Sequence, residues 1–222
     1  MIGMKSGASI IIPAYNESKT VPKVLEQLGK DRYEIIVIDD GSSDGTGRIV
    51  KEMGFRCIVL ERNRGKGHAC IRGIKEAGSN NIVIFDADNQ FDSADIPKML
   101  DALENSDMVI GERKRKNIPL QRRLSNGFAA WVVNRMTGEK LRDVLCGFRA
   151  IRKDKFMELG MEKDTYEFES EMVIKAARKG LRISSVPINV RYFSGASGIS
   201  PMHSAKVTIY ILKELIKSWV QR

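Results

Sequence analysis

Apolar runs and helical patterns alternate along the first half of this chain, and that alternation constrains the fold more than any other feature. Five runs rich in Ile and Val are predicted as strands, beginning near residues 8, 33, 56, 80 and 107. Helical patterns separate them at about 19–28, 46–53, 65–78 and 93–103. The strict alternation of strands and helices predicts an α/β fold with a doubly wound, mainly parallel sheet flanked by helices.

The pattern is looser in the second half. It predicts a basic loop, a helix at 123–136, a strand at 147–153, a helix at 168–179 and a strand within 181–192. We expect one domain, residues 1–203, followed by a C-terminal amphipathic helix, residues 204–222. One face of that helix would carry Thr208, Ile211, Leu212, Leu215, Ile216 and Trp219. This stripe suits either a membrane interface or packing against the domain or a partner subunit.

Composition and missing motifs disfavour several classes of protein. No apolar run approaches the roughly 20 residues that span a bilayer, and the N-terminus lacks a signal-peptide core, so we expect a cytoplasmic protein. Three cysteines without a C-x-x-C pair predict neither a disulfide framework nor a zinc site. The absence of a G-x-G-x-x-G after the first strand and of a P-loop lysine motif disfavours dehydrogenases and P-loop kinases.

Charge is unevenly placed along the chain. The net charge is +9, but residues 1–110 hold 14 basic against 17 acidic residues, and residues 111–222 hold 23 against 11. A half this basic points to an anionic partner, such as nucleic acid, an anionic membrane surface or a phosphate-bearing substrate. Nucleic acid is disfavoured, because no recognised binding motif is present and few aromatic residues lie among the basic ones.

Polar residues follow the predicted strands at 13–17, 39–44, 86–90 and 111–113. One ligand could touch all four segments, because ligands of parallel sheets bind beyond the carboxyl ends of the strands. Asp40, in the second segment, has a carboxylate suited to accepting hydrogen bonds from a base or ribose.

The segment 86–90 reads DADNQ, with Asp86, Asp88 and Gln90 at alternate positions. If extended geometry persisted to Gln90, the three side chains would project the same way. Their oxygen atoms suit a hard ion, Mg²⁺ or Mn²⁺, that takes its other ligands from a diphosphate and water. The alternative is that these residues only cap the helix that follows.

An ordered set of motifs resembles family 2 glycosyltransferases, and most of all the dolichol-phosphate mannose synthases. The motifs are IIPAYNE, VIDDGSSDGT, GKGHACIRG, IFDADNQF, GER, RRLSNGF, DVLCGFRAI and YEFESEM, and they span about residues 8–190. The resemblance implies the GT-A fold, a nucleotide-sugar donor and inversion at the anomeric carbon.

The resemblance also implies roles for single residues. The positions that hold the base and ribose of the donor are matched by Pro13, Ala14, Tyr15, Glu17 and Asp40. The metal and diphosphate motif is matched by Asp86, Asp88 and Gln90; we expect Asp88 and Gln90 as direct ligands, with Asp86 contacting metal-bound water or ribose. Arg113 lies where the donor sugar or phosphates are approached. The positions of the lipid phosphate are matched by Arg122, Arg123, Ser125 and Asn126.

One loop departs from the family pattern. Many relatives have a lysine where this chain has Gly198. We therefore expect Arg191 to bear more of the contact with the donor phosphates.

The nature of the acceptor decides which catalytic groups are needed. A phosphate monoester has a second pKa of about 6, so it is largely dianionic near neutral pH and needs no general base. It needs positive charge, and residues 111–123 hold six basic residues against one acidic residue. We therefore expect catalysis to rest on Asp88, Arg122 and Arg123. A sugar hydroxyl would instead need a carboxylate base, for which the candidates are Asp143, Glu167 and Glu169.

The expected activity is metal-dependent, inverting transfer of mannose or glucose, from a donor such as GDP-mannose or UDP-glucose, to a dolichyl or polyprenyl phosphate. The alternatives are transfer to a saccharide or glycolipid hydroxyl, and a noncatalytic subunit that binds a sugar nucleotide. We expect peripheral association with the cytosolic face of a membrane, where a membrane-embedded protein could be a partner.

Overall fold

The structure is a computed structural model, and it describes residues 7–114, 120–162, 167–191 and 209–210. The strands in these ranges are β1 (Ala8–Ala14), β2 (Glu34–Asp39), β3 (Arg56–Val59), β4 (Asn81–Ile84), β5 (Met108–Arg113), β6 (Arg149–Arg152) and β7 (Ile183–Ile188). The helices are α1 (Val21–Leu28), α2 (Thr46–Glu52), α3 (Lys66–Glu76), α4 (Ile96–Leu103), α5 (Leu120–Thr137), α6 (Lys153–Leu159) and α7 (Phe168–Arg178). A short 3₁₀ turn (Ser93–Asp95) leads into α4.

The seven strands form one sheet in the order β3-β2-β1-β4-β6-β5-β7. β1 pairs in parallel with β2 and β4, β2 pairs in parallel with β3, and β5 pairs in parallel with β7. β6 runs antiparallel between β4 and β5. The predicted α/β fold with a mainly parallel sheet is therefore confirmed, whereas the insertion of β6 between two parallel strands was not expected.

The core lies around β1, whose seven residues are all buried. A strand covered in this way reads as a continuous apolar run, as the sequence does here. Helix α1 buries the stripe Val21, Val24, Leu25 and Leu28, which recurs at helical spacing. Helix α3 approaches the sheet closely at Gly73, where a Cβ atom would lie only 2.5 Å from Ile11 Cγ2. A larger residue at this position would push α3 away from the strands that carry the site.

The predicted helices are found close to their expected positions, with one addition. Helix α5 is longer than predicted at both ends, and α6 was missed because it follows β6 without a turn and is only seven residues long. The C-terminal helix predicted at 204–222 lies outside the described residues, apart from residues 209–210, which are helical. Within the described ranges, no helix is long and apolar enough to cross a bilayer.

Candidate functional site

The carboxyl ends of β1, β2, β4 and β5 meet at one edge of the sheet, because these strands run in the same direction. The first two polar segments are joined there by hydrogen bonds. Glu17 N donates to Thr46 Oγ1 at 2.9 Å, and Ser18 N donates to Asp44 Oδ2 at 3.0 Å. Residues 15–18 and 39–46 thus form one continuous wall of the candidate site.

The DADNQ segment turns instead of extending the strand. β4 ends at Ile84, Asp88 Oδ1 accepts a hydrogen bond from Gln90 N at 3.0 Å, and Asn89 has a left-handed φ of 59°. The condition of extended geometry through Gln90 is therefore not met, because the Asp88 side chain supplies the acceptor for an Asx turn. The Asp86 and Asp88 carboxylates are nevertheless close enough to interact electrostatically.

The electrostatics of this turn suit a cation. Burial and the neighbouring charge of Asp86 raise the pKa of Asp88 to about 6, so the protein compensates the charge of Asp88 poorly. Asp86 Oδ1 is buried and, apart from an ion pair with Lys66, it has no hydrogen-bond partner among the described residues. No cluster of three or more His, Cys, Asp or Glu side chains that could hold a metal lies in the described ranges. The poorly compensated charge of Asp88 and the buried Oδ1 of Asp86 fit a divalent ion that completes its coordination with diphosphate oxygens and water.

A lysine lies between two carboxylates directly beside this turn. Lys66 Nζ, at the start of α3, is 2.7 Å from Asp86 Oδ1 and 2.8 Å from Glu169 Oε1. Burial disfavours the ammonium, but the two carboxylates outweigh it and raise the pKa of Lys66 well above its usual value. Burial likewise acts to raise the pKa of Glu169, and the charges of Lys66 and Arg149 reverse this and lower it. Lys66 and Glu169 are therefore both charged near neutral pH.

The segment before β6 closes over this cluster at Gly147. A Cβ atom there would lie 2.6 Å from Asp86 Oδ2 and 2.8 Å from Lys66 Nζ, so a larger residue would displace the ion pair. Arg149 is fully buried and donates to the carbonyl oxygens of Cys146 and Glu169, each at 2.8 Å, and of Val144 at 2.7 Å. Sequence analysis assigned no role to either residue. An arginine within the otherwise apolar GFRAI segment was the available signal.

Most of the residues expected to hold the base and ribose lie at the end of β1 and in the loop that follows it. Pro13 and Ala14 are buried at the end of β1, and Tyr15 is exposed next to them. Burial raises the pKa of Glu17; the Thr20 hydroxyl opposes this effect, and the charge of Asp86 adds to it. Glu17 is thus close enough to the DADNQ turn to sense its charge.

Asp40 organises the neighbouring loop. It is buried, and its Oδ1 and Oδ2 accept hydrogen bonds from Arg64 N at 3.0 Å and Gly65 N at 2.7 Å. Gly41 follows with a φ of 74°, and a Cβ atom there would lie 2.6 Å from the carbonyl carbon of Arg62. Residues 62–65 therefore pack directly on the end of β2 and add a second layer to the wall.

Arg113, at the end of β5, is held by Asp143. Its Nε and Nη2 donate to the two carboxylate oxygens at 2.6 Å and 3.0 Å, and its backbone N donates to Asp143 Oδ2 at 3.2 Å. Both side chains are largely buried. Asp143 is therefore committed to an ion pair, as Glu169 is to Lys66, and neither carboxylate is poised to act as a general base.

The residues expected at the acceptor phosphate lie in the first half of α5. The side chains of Arg122 and Ser125 are outside the described part of the structure, and Arg123 is partly buried. Asn126 is buried: its Oδ1 accepts from Val144 N at 3.0 Å and Leu145 N at 3.1 Å, and its Nδ2 donates to Arg142 O at 3.1 Å. In place of the expected phosphate contact, the structure gives Asn126 the role of clamping residues 142–145 to α5.

Arg191 lies near the DADNQ turn through its backbone. Its N donates to Gln90 O at 2.8 Å, and its guanidinium pairs with Asp92 at 3.0 Å on the surface. The loop that begins at residue 192, with Gly198, lies outside the described residues.

The chain is similar in sequence to known glycosyltransferases. The family model for glycosyl transferase family 2 matches residues 9–160. The chain is 32% identical to a UDP-N-acetylglucosamine–dolichyl-phosphate N-acetylglucosaminyltransferase of Methanococcus voltae, over 91% of this chain and 94% of that one. It is 35% identical to a dolichol-phosphate mannosyltransferase of Pyrococcus furiosus, over 81% of this chain and 55% of that one.

Solved structures show the same fold. Glucosyl-3-phosphoglycerate synthase from Mycobacterium tuberculosis, crystallised with Mn²⁺, UDP and glucosyl-3-phosphoglycerate, superposes with a TM-score of 0.74 over 95% of this chain and 78% of that one. The two sequences are 19% identical, so this likeness concerns the fold alone. It confirms the GT-A architecture expected from the motifs. Because the family model covers well over half of its length, the chain belongs to glycosyl transferase family 2.

Proposed function

We propose that this protein transfers a hexose from a nucleoside-diphosphate sugar to a dolichyl or polyprenyl phosphate, with a divalent metal ion. The observation that carries the proposal is the Asp86–Asp88 turn beside the wall formed by residues 15–18 and 39–46. Relatives named as dolichyl-phosphate and undecaprenyl-phosphate glycosyltransferases support the lipid phosphate as acceptor.

On the donor side, we propose that Asp86 and Asp88 hold the metal and that Tyr15, Glu17 and Asp40 contact the base and ribose. The ion, when bound, would neutralise the negative charge that grows on the departing diphosphate. The Asx turn at Asp88 fixes the direction of its carboxylate before any ligand arrives. Gln90 and Arg191 are proposed as further contacts of the metal and the diphosphate.

On the acceptor side, the protein has to supply positive charge and no base. A lipid monophosphate attacks as a dianion, and Arg122 and Arg123 at the start of α5 are proposed to bind it. Two of the three carboxylates considered as bases for a hydroxyl are engaged otherwise, since Asp143 pairs with Arg113 and Glu169 with Lys66. This arrangement favours a phosphate over a sugar hydroxyl as the nucleophile.

Helix α5 also suggests how a lipid could be reached. Leu124 is 73% exposed and Trp131 is 55% exposed, seven residues apart on one face, and Phe128 between them stacks on Trp131. Such a stripe beside a basic segment suits the interface of an anionic membrane. We propose peripheral association with the cytosolic face of a membrane, through this face and the helix expected at 204–222.

A transfer assay tests the proposal directly. The purified full chain is incubated with polyprenyl phosphate in vesicles and with labelled GDP-mannose, UDP-glucose or UDP-N-acetylglucosamine, in Mg²⁺, Mn²⁺ or excess chelator. We expect one donor to label the lipid phosphate, and only when Mg²⁺ or Mn²⁺ is present. Polyprenyl alcohol, the matched control, should remain unlabelled. Labelling of the alcohol, or of a saccharide in preference to the lipid phosphate, would contradict the proposed acceptor.

A further inference from the structure

The ammonium group of Lys66 lies against one of the two carboxylates proposed to hold the metal. It touches Asp86 Oδ1 at 2.7 Å, the atom that has no hydrogen-bond partner elsewhere among the described residues. We propose that Lys66 is a positioning residue that neutralises Asp86, so that the divalent ion is captured together with a diphosphate and not alone. This inference rests on the proposed function, which puts the ion at Asp86 and Asp88.

Three separate elements build this contact. Lys66 begins α3, Asp86 follows β4, and Glu169 in α7 holds the ammonium from the other side at 2.8 Å. Gly147 leaves the space that the pair occupies. A partly buried ion pair adds little to stability, because its desolvation offsets the attraction between the charges. Its construction from three elements therefore points to a role at the site and not to a stabilising role alone.

The charges explain why capture would depend on a diphosphate. With Lys66 in place, an ion arriving alone meets one uncompensated carboxylate, Asp88, and one that is already paired. So few charged oxygens hold either Mg²⁺ or Mn²⁺ poorly, and Mg²⁺ in addition gives up its waters reluctantly. A diphosphate adds both oxygen ligands and negative charge, so the ion and the nucleotide would enter together. The same dependence would let them leave together after transfer.

A binding experiment with Mn²⁺ and the full chain tests this idea without any turnover. Binding is measured as the decrease of the free Mn²⁺ signal in electron paramagnetic resonance. Wild type should bind Mn²⁺ alone weakly and at least about tenfold more tightly with UDP or GDP present. Lys66→Met should bind Mn²⁺ alone about tenfold more tightly than wild type, because Asp86 becomes available, and should gain less from the nucleotide. Glu169→Gln, which leaves Lys66 committed to Asp86, should bind Mn²⁺ alone no more tightly than wild type.

Melting curves of every variant check that it is folded. If Lys66→Met does not fold, the double variant Lys66→Met/Glu169→Gln removes a charge of each sign and should also bind Mn²⁺ alone more tightly. The inference is overturned if the folded Lys66 variant binds Mn²⁺ alone as wild type does while the wild-type gain with nucleotide still requires Asp88. If wild type shows no gain with nucleotide, or Asp88→Asn does not abolish the gain, the proposed metal site itself fails and the inference falls with it.

Discussion

Arg113 holds Asp143 with two nitrogen atoms, Nε at 2.6 Å and Nη2 at 3.0 Å, and both side chains are largely shielded from water. The pair ties the end of β5 to the segment that leads into β6. It also favours a lipid phosphate over a sugar hydroxyl as the acceptor, because a carboxylate paired in this way is unsuited to remove a proton from a hydroxyl.

Replacing Asp143 should therefore affect stability first. Asp143→Asn leaves the Arg113 guanidinium buried without a counter-charge, and we expect the free energy of unfolding to fall by about 3 kcal/mol in urea denaturation. The double variant Arg113→Met/Asp143→Asn should lose less than the sum of the two single variants. A variant that kept full stability but lost transfer would identify Asp143 as a general base.

Replacing Asp88 should affect metal and donor binding without loosening the fold. Asp88→Asn removes a charge that the protein compensates poorly, so its melting temperature without ligands should not fall. Transfer and Mn²⁺-dependent stabilisation by the nucleotide sugar should both disappear. Asp101→Asn, on the exposed side of α4, is the matched control. Full transfer by Asp88→Asn, or by wild type in excess chelator, would contradict the metal site.

The two arginines at the start of α5 should distinguish acceptor from donor. Arg122→Ala/Arg123→Ala removes charged hydrogen bonds proposed to reach the lipid phosphate, and we expect its KM for polyprenyl phosphate to rise about tenfold or more. The Kd for the nucleotide sugar should change little. Arg135→Ala, exposed near the other end of α5, serves as the control. An equal loss of donor affinity would reassign the arginines to the diphosphate.

Asp44 should make the fold sensitive to acid. Burial acts to raise its pKa, but hydrogen bonds from Thr46 and Ser18 outweigh this and lower it from 3.8 to about 2. A lowered folded pKa stabilises the protein above the unfolded value, and the contribution is lost as pH falls through the folded value. Because Asp44 is exposed, we expect Asp44→Asn to cost no more than about 1 kcal/mol near neutral pH. The difference from wild type in urea denaturation should shrink between about pH 4 and pH 2, and a difference independent of pH would contradict this assignment.

The exposed face of α5 should bind membranes. Leu124→Ser/Trp131→Ser removes two apolar side chains that would enter the interface, and sedimentation with anionic vesicles should fall by about tenfold or more. High salt should weaken the binding of wild type as well, since the basic residues contribute through charge. Val59→Ser, at an exposed apolar position on β3, is the control. Unchanged sedimentation would exclude this face as the membrane contact.

Sequence analysis was most successful where a local pattern determines the structure. The strands β1, β2 and β4 are continuous apolar runs, and the polar loops after them had to share an edge once the strands were parallel. It failed where a side chain redirects the backbone, as Asp88 does, or where the partner is distant in the chain. The contacts of Asn126 with residues 142–145 and of Lys66 with Glu169 are of the second kind, and no periodicity could reveal them.

The position of β6 has a consequence for how relatives can be recombined. It hydrogen-bonds to β4 on one side and to β5 on the other, so the acidic and basic halves of the chain are joined within one sheet. A fragment that stopped at residue 110 would leave β4 as a bare apolar edge and would invite aggregation. Chimeras should instead exchange the excursion between β5 and β6, which contains α5, and keep every strand pairing intact. Such an exchange would replace the segment proposed to bind the acceptor and keep the strands that carry the proposed donor site.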